Sequence, residues 1–255
     1  MNSAKEKNVG ALSREAIQKV APGMDHYTAF VGPPEQYDFM GATQFRLLTT
    51  LGLREHNSLL DFGCGSLRAG RLFIPYLLPG RYYGLDPNRW LVEAGIDEQI
   101  GRSMLELKRP TFLYHSDFSA TRFGVTFDYI LAQSIFSHSG RDIIAKSFGE
   151  FKICLGPNAL VLATFIQPHQ LDGTAEYEGT GWIYPGVVTY HSETILALAQ
   201  EAGFAGRTLP WFHPRQTWFA LAHSADQLPP PGADIHLSGA VLRAPELFPK
   251  MNEQG

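Results

Sequence analysis

The sequence predicts an α/β protein, a doubly wound and mostly parallel sheet with helices on both faces, and three observations predict it. From residue 58 onward, strand-like runs alternate with segments of helical length and period. Several of those runs, ALVLATFI (159–166) above all, are apolar throughout, which is the pattern of strands buried on both faces. And SLLDFGCGSLRAG (58–70) carries an apolar run through two glycines one residue apart into a helix start, a turn that brings backbone close to a ligand.

Each element has its own signal. A short amphipathic helix is expected over Ser13–Val20, followed by a Pro/Gly stretch through Pro34. Residues 36–53 read as a helix with Phe39, Phe45, Leu48 and Leu51 as its apolar stripe. The alternation then runs strand Ser58–Gly63, helix Leu67–Leu78 closed by Pro79-Gly80, strand Arg81–Leu85 and helix Trp90–Ile100. It continues with strands Thr111–His115 and Phe127–Ala132, helix Asp142–Leu155 ending at Gly156-Pro157, and strand Ala159–Ile166. Residues 167–191 hold glycines and aromatics without a period and read as an inserted loop over the sheet edge. Ser192 opens another helix through Ala202, and Arg207–Phe212 with Thr217–Ala222 read as a terminal hairpin joined by His213-Pro214-Arg215-Gln216. The expected division is an N-terminal extension (1–35), a main domain with its inserted loop (36–224) and a proline-led tail (225–255).

Composition narrows the function classes. The chain has 255 residues, 44% of them hydrophobic, enough for one large domain with a full core. Net charge is −4 and no run of Lys/Arg appears, so a nucleic-acid partner is not expected. No segment has the uninterrupted apolar length of a membrane helix, and MNSAKEKNVG lacks the apolar region of a signal peptide. Cys64 and Cys154 make neither a disulfide framework nor a metal-site spacing. The expectation is a soluble, cytoplasmic protein without a metal and without a membrane partner.

The glycine turn excludes the commoner phosphate-binding patterns. Gly63 and Gly65 match the start of G-x-G-x-x-G, but Arg68 stands where the third glycine packs helix against strand. No Gly-Lys-Ser/Thr follows, so a phosphate-cradling loop of that type fails too. What fits is a nucleoside without a phosphate chain, approached by the backbone of Gly63, Cys64 and Gly65, with Asp61 offering a carboxylate to an ammonium group. The next strand ends in GLDPN, placing Asp86 and Pro87 at its carboxyl end, where an acid accepts hydrogen bonds from ribose hydroxyls. The third ends in HSDF, where Asp117 and Phe118 suit an adenine amino group and ring face.

With LLDFGCG, GLDPN, HSDF and FDYILAQSIFSH in register, residues 36–222 resemble the class I S-adenosylmethionine-dependent methyltransferases. The resemblance implies a Rossmann-like, seven-stranded sheet with an antiparallel last strand, and S-adenosyl-L-methionine as cofactor. It also implies that Asp61, Gly63 and Gly65 line the methionine end, Asp86 the ribose, and Asp117 with Phe118 the adenine. Gln133 would lie beneath the cofactor, and Arg68 and Gln44 would reach its carboxylate.

Two absences bear on the methyl acceptor. After the fourth strand the chain has AQSIFSH in place of the Asn/Asp-Pro-Pro-Tyr/Phe of base-modifying enzymes, and no aspartate stands where a metal-dependent type would carry one. The expected acceptor is therefore a small molecule, with specialised metabolites as a candidate class, methylated at oxygen or nitrogen. His138, just past the fourth strand, is the candidate general base, because an imidazole takes protons near neutral pH. His169, Trp182, Tyr184 and His191 in or beside the loop, and His213 from the hairpin, are candidates for acceptor contact. The extension and tail are candidates for a cover over the site or a homodimer contact. The rival readings are a protein or peptide methyltransferase, a cofactor-binding interaction subunit without turnover, and an NAD-dependent oxidoreductase, which Arg68 disfavours.

Overall fold

The structure, a computed structural model, describes residues 20–237. The helix expected over 13–20 (but for Val20) and the tail beyond Leu237 lie outside them. In chain order come helix α1 (Tyr37–Thr50), strand β1 (Leu59–Phe62), helix α2 (Gly70–Tyr76) and strand β2 (Tyr82–Leu85). Then come α3 (Arg89–Gly95), α4 (Arg102–Lys108), β3 (Thr111–Leu113), β4 (Phe127–Ala132), α5 (Arg141–Cys154) and β5 (Leu155–Phe165). The chain continues through α6 (Ser192–Glu201), β6 (Ala205–Leu209) and β7 (Thr217–Ala222) to a short α7 (Asp234–Leu237).

The strands form one seven-stranded sheet in the order β3-β2-β1-β4-β5-β7-β6. Pairings from β3 through β5 are parallel, and β7 runs antiparallel to both its neighbours. Alternate side chains enter two cores on opposite faces. Leu60, Phe62, Ile130, Val161, Phe165 and Phe219 pack with Phe148 and Phe151 of α5 and Ile195 of α6. Leu59, Leu131, Leu162 and Trp218 pack with Leu47 and Leu48 of α1, Phe73 of α2 and Val92 of α3. Burying each such side chain stabilises the fold by roughly 1.5–3 kcal/mol, which is why the apolar strand runs were readable at all. Among the described residues no helix is long and apolar enough to cross a membrane.

The chain order doubles back between β3 and β4, so β1 and β4 adjoin at a switch point, and a crevice opens at their carboxyl ends. Several details depart from the sequence expectation. Helix α2 begins at Gly70 and not at Leu67, because Leu67 takes a left-handed φ of 59°, which an α-helix excludes. The helix expected through Ile100 ends at Gly95 and continues as a wider turn, Ile96–Ile100. Gly101, at φ 85°, then breaks the chain before the unexpected α4. The buried face of α1 is Tyr37, Met40, Gly41, Thr43, Gln44, Leu47 and Leu48, so of the expected stripe only Leu48 is fully buried. Strand β5 starts at Leu155, where its pairing with β4 shifts register, and the β6–β7 connection spans residues 210–216.

The inserted loop is not over a sheet edge. Because β7 pairs between β5 and β6, β5 is an internal strand, and the loop that leaves it lies over the carboxyl ends of the central strands. It is sewn to the segment after β4 by Gly140 N–H to Gly181 O (2.8 Å), Ile183 N–H to His138 O (3.0 Å) and Val188 N–H to Ser137 O (2.9 Å). Glycine is required at 140, since a Cβ there would stand 2.6 Å from Thr180 Cα. After β7, Asp234 forms a two-pronged ion pair with Arg207 of β6 (2.7 and 2.8 Å) and Leu237 is buried, which docks residues 225–237 on the outer strand.

Candidate active site

A cavity of about 640 Å³ sits in the switch-point crevice. Its floor is built by strand ends. Gly63 (φ 79°) and Gly65 (φ 54°) turn the chain out of β1 in conformations that favour glycine. The space a Cβ would fill is taken by Ile135 at Gly63 (2.0 Å) and by Val31 at Gly65 (2.7 Å). Asp86 braces this turn: its Oδ2 accepts from Gly65 N–H (2.9 Å) and its Oδ1 from Asn88 N–H (2.8 Å) and Nδ2 (3.2 Å). Asp86, Pro87 and Cys64 all line the cavity. Burial raises the Asp86 carboxyl above the usual range against these bonds. It also pushes the Cys64 thiol well up, leaving a small buried turn residue and no nucleophile.

Asp61 lines the same floor and accepts a hydrogen bond from Tyr82 Oη at 2.7 Å. Burial pushes its carboxyl up to about 6, while the Tyr82 bond and the Arg68 charge act in the opposite direction. Arg68 is half-buried with one guanidinium nitrogen donating to Val31 O at 2.6 Å, and it forms no ion pair among the described residues. Buried polar atoms normally find partners. Here Gln44 Oε1, Arg68 Nε, Gln133 Oε1, Ser137 Oγ and Gln216 Oε1 find none within the described chain, and all five residues line this one cavity. Phe118 and Ser134, in the segments that follow β3 and β4, hold left-handed φ of 60°. Such strain in non-glycine residues collects at ligand sites.

The opposite wall comes from loops. His138 Nδ1 lies 2.6 Å from the Gly186 carbonyl, which only accepts, so Nδ1 carries the proton and Nε2 keeps a free lone pair. Burial lowers the His138 pKa below 6.5, the Gly186 bond raises it, and the charge of Arg215 lowers it further. Trp182 and Tyr184 stack at 6.4 Å and 19°, with the Tyr184 ring 5.0 Å and the Trp182 ring 5.6 Å from His138. Tyr184 Oη donates to Phe30 O at 3.1 Å, so the segment 22–32 closes over the cavity and supplies Phe30, Val31 and Gly32 to it.

Four expected residues stand elsewhere. Asp117 turns outward from the cavity to Arg122 and to His115 (2.5 Å), because the left-handed Phe118 that follows sends the two side chains to different sides. His169 is exposed in a short turn and does not reach the cavity. His191 is exposed at the start of α6, where its backbone N–H is tied to Glu176. His213 lies behind the lining, 3.3 Å from Gln133 Nε2, and burial among Arg68 and Arg215 holds its pKa well below the usual 6.5. Sequence reasoning missed Val31, Ile135, Ser137, Arg215 and Gln216. Only AQSIFSH, already singled out, held a signal for any of them.

No family model matches the chain, and no curated protein matches it. Solved structures do. The magnesium protoporphyrin IX methyltransferase ChlM of Synechocystis PCC 6803 with bound SAM superposes with TM-score 0.53 at 14% identity, over 74% of this chain and 84% of that one. The CcbJ methyltransferase of Streptomyces caelestis gives 0.58 at 12% identity over 76% and 92%. Streptomyces venezuelae DesVI gives 0.55 at 14% over 76% and 95%. The fold is that of the class I S-adenosylmethionine-dependent methyltransferases. In this class I fold the strand-end turn, the acidic end of β2 and the segment after β4 meet at one crevice, and the inserted loop roofs it.

Proposed function

We propose that the protein is an S-adenosylmethionine-dependent methyltransferase acting on oxygen or nitrogen of a small molecule. The single observation that carries this reading is that one cavity joins the Gly63–Gly65 turn and Asp86 to His138, Trp182 and Tyr184. A cofactor and an acceptor held there would meet without crossing solvent. The chemistry of the lining fits the cofactor: Asp61 offers a buried carboxylate to its ammonium group. The guanidinium of Arg68, whose Nε has no partner within the described chain, and the side chain of Gln44 suit its carboxylate, Asp86 suits the ribose, and Phe118 a flat ring. When bound, S-adenosylmethionine supplies a sulfonium methyl, which an acceptor takes by in-line displacement with the bonding pair left on sulfur. The chain itself then positions the acceptor and removes its proton. His138 does the latter: with Nδ1–H fixed on Gly186 O, Nε2 accepts, and the depressed pKa keeps it neutral and ready at pH 7. Trp182 and Tyr184 give the acceptor a flat wall.

A small acceptor is supported by the roofed cavity and by the likeness to a protein named for magnesium protoporphyrin IX. A specialised metabolite and a cytoplasmic setting belong to the same reading. Calorimetric titration with S-adenosylhomocysteine and with NAD tests the cofactor: binding of the first and not the second is expected, and the reverse overturns the reading. A screen of hydroxylated and aminated metabolites, read as a mass gain of one methyl, tests the activity.

A further inference from the structure

The rim of the cavity beside His138 carries a charge that nothing in the described chain answers. Arg215 is exposed and lines the cavity. Its backbone N–H donates to His213 Nδ1 at 3.1 Å, which fixes the turn that presents the side chain. No carboxylate among the described residues forms an ion pair with its guanidinium. The two acids that line the cavity are at the strand-end floor and already engaged, Asp61 with Tyr82 and Asp86 with Gly65 and Asn88. The groups that feel Arg215 are Arg68, His138 and His213, all cationic or able to become so. That corner is positive, and it adjoins the Trp182–Tyr184 wall.

Building on the methyltransferase reading, we propose that the acceptor carries an anionic oxygen group, a carboxylate or a phosphate, held by the Arg215 guanidinium while its body lies along Trp182 and Tyr184. A guanidinium fork grips either group with two parallel bonds. An anion there also offsets the repulsion that Arg215 exerts on a protonated His138, so acceptor binding and proton uptake favour each other.

The full-length protein, saturated with S-adenosylhomocysteine, is titrated calorimetrically with 4-hydroxybenzoate, phenyl phosphate and the neutral 4-hydroxybenzamide. At least one anion binds, the amide binds at least about tenfold more weakly, and Arg215→Met weakens the anion by roughly 10–100-fold. Arg215→Lys recovers part of that loss, and homocysteine-nucleoside affinity is the same in all three proteins. Preference between the two anions assigns carboxylate or phosphate. Equal binding of the amide, no binding of either anion, or an Arg215→Met protein that matches the wild type overturns the proposal. If S-adenosylhomocysteine fails to bind but the anions still bind through Arg215, the cofactor reading falls and the anion site stands.

Discussion

The two ends of the cavity are built by different means. The cofactor end is made of strand termini, held in register by sheet pairing and by Asp86 bridging Gly65 and Asn88. The acceptor end is made of the 180–188 loop, the segment 22–32 and the β6–β7 connection, held by a few backbone bonds such as Ile183 N–H to His138 O and by ring contacts such as Phe30–Tyr184 at 5.3 Å. On the proposed reading, the first end fixes one ligand by backbone and buried charge, and the second leaves side chains free to set which acceptor is taken. Loops on a rigid scaffold are where such specificity changes without cost to the fold.

The largest expected effect separates chemistry from cofactor binding. Replacing His138 by Ala should lower turnover by roughly 10²–10⁴-fold and leave S-adenosylhomocysteine affinity nearly intact, as read by steady-state rates beside calorimetry. Its pH signature has a definite sign. The pKa in the free protein lies below 6.5, so wild-type kcat/KM for the acceptor should fall to half its maximum only below pH 6.5. A profile that already loses half its activity at 6.5 or above would remove His138 as the base.

At the other end, Asp86→Ala should weaken S-adenosylhomocysteine by on the order of 100-fold, because a ligand contact goes and the buried Gly65 N–H loses its acceptor. His138 is unaffected by that change, so turnover at saturating cofactor should fall far less than affinity. If both fall together, the two ends are not separable.

These two ends were not equally legible in the sequence. Strand alternation and continuous apolar runs revealed the sheet, and each strand end then had one fixed place at the crevice, which is why Asp61, Gly63, Gly65, Asp86 and Gln133 could be named as lining it. Asp117 does not line the cavity, because a left-handed Phe118 sends it outward, and nothing local in HSDF encodes that φ. Arg215 and Val31 come to the cavity by way of a seven-residue connection and an N-terminal segment. Their positions depend on tertiary docking, to which residue type gives no clue. His169 and His191 had the right chemistry in a loop whose path was readable only as an insertion.

A smaller effect tests whether the cofactor end trades stability for function. The Asp61 carboxyl is raised from 3.8 to about 6 by burial, so its favourable contribution is present at low pH and lost as pH rises through about 6. At pH 7 the ionised, buried group costs up to about 3 kcal/mol. Asp61→Asn, which keeps an acceptor for Tyr82 Oη, should raise the denaturation midpoint at pH 7 but not at pH 4, and should weaken S-adenosylhomocysteine. A midpoint raised equally at both pH values would mean that packing, not charge, separates the two proteins.

The smallest effect belongs to the acceptor wall. Trp182 is 45% exposed, so Trp182→Ala should change stability by less than about 0.5 kcal/mol. It removes the ring stacked on Tyr184 and set 5.6 Å from His138, and should raise the acceptor KM roughly 3–10-fold with kcat little changed. A fall in kcat without a change in KM would mean that Trp182 acts by holding His138 in place, which would make the wall part of the catalytic end and erase the division between a fixed floor and an adaptable roof.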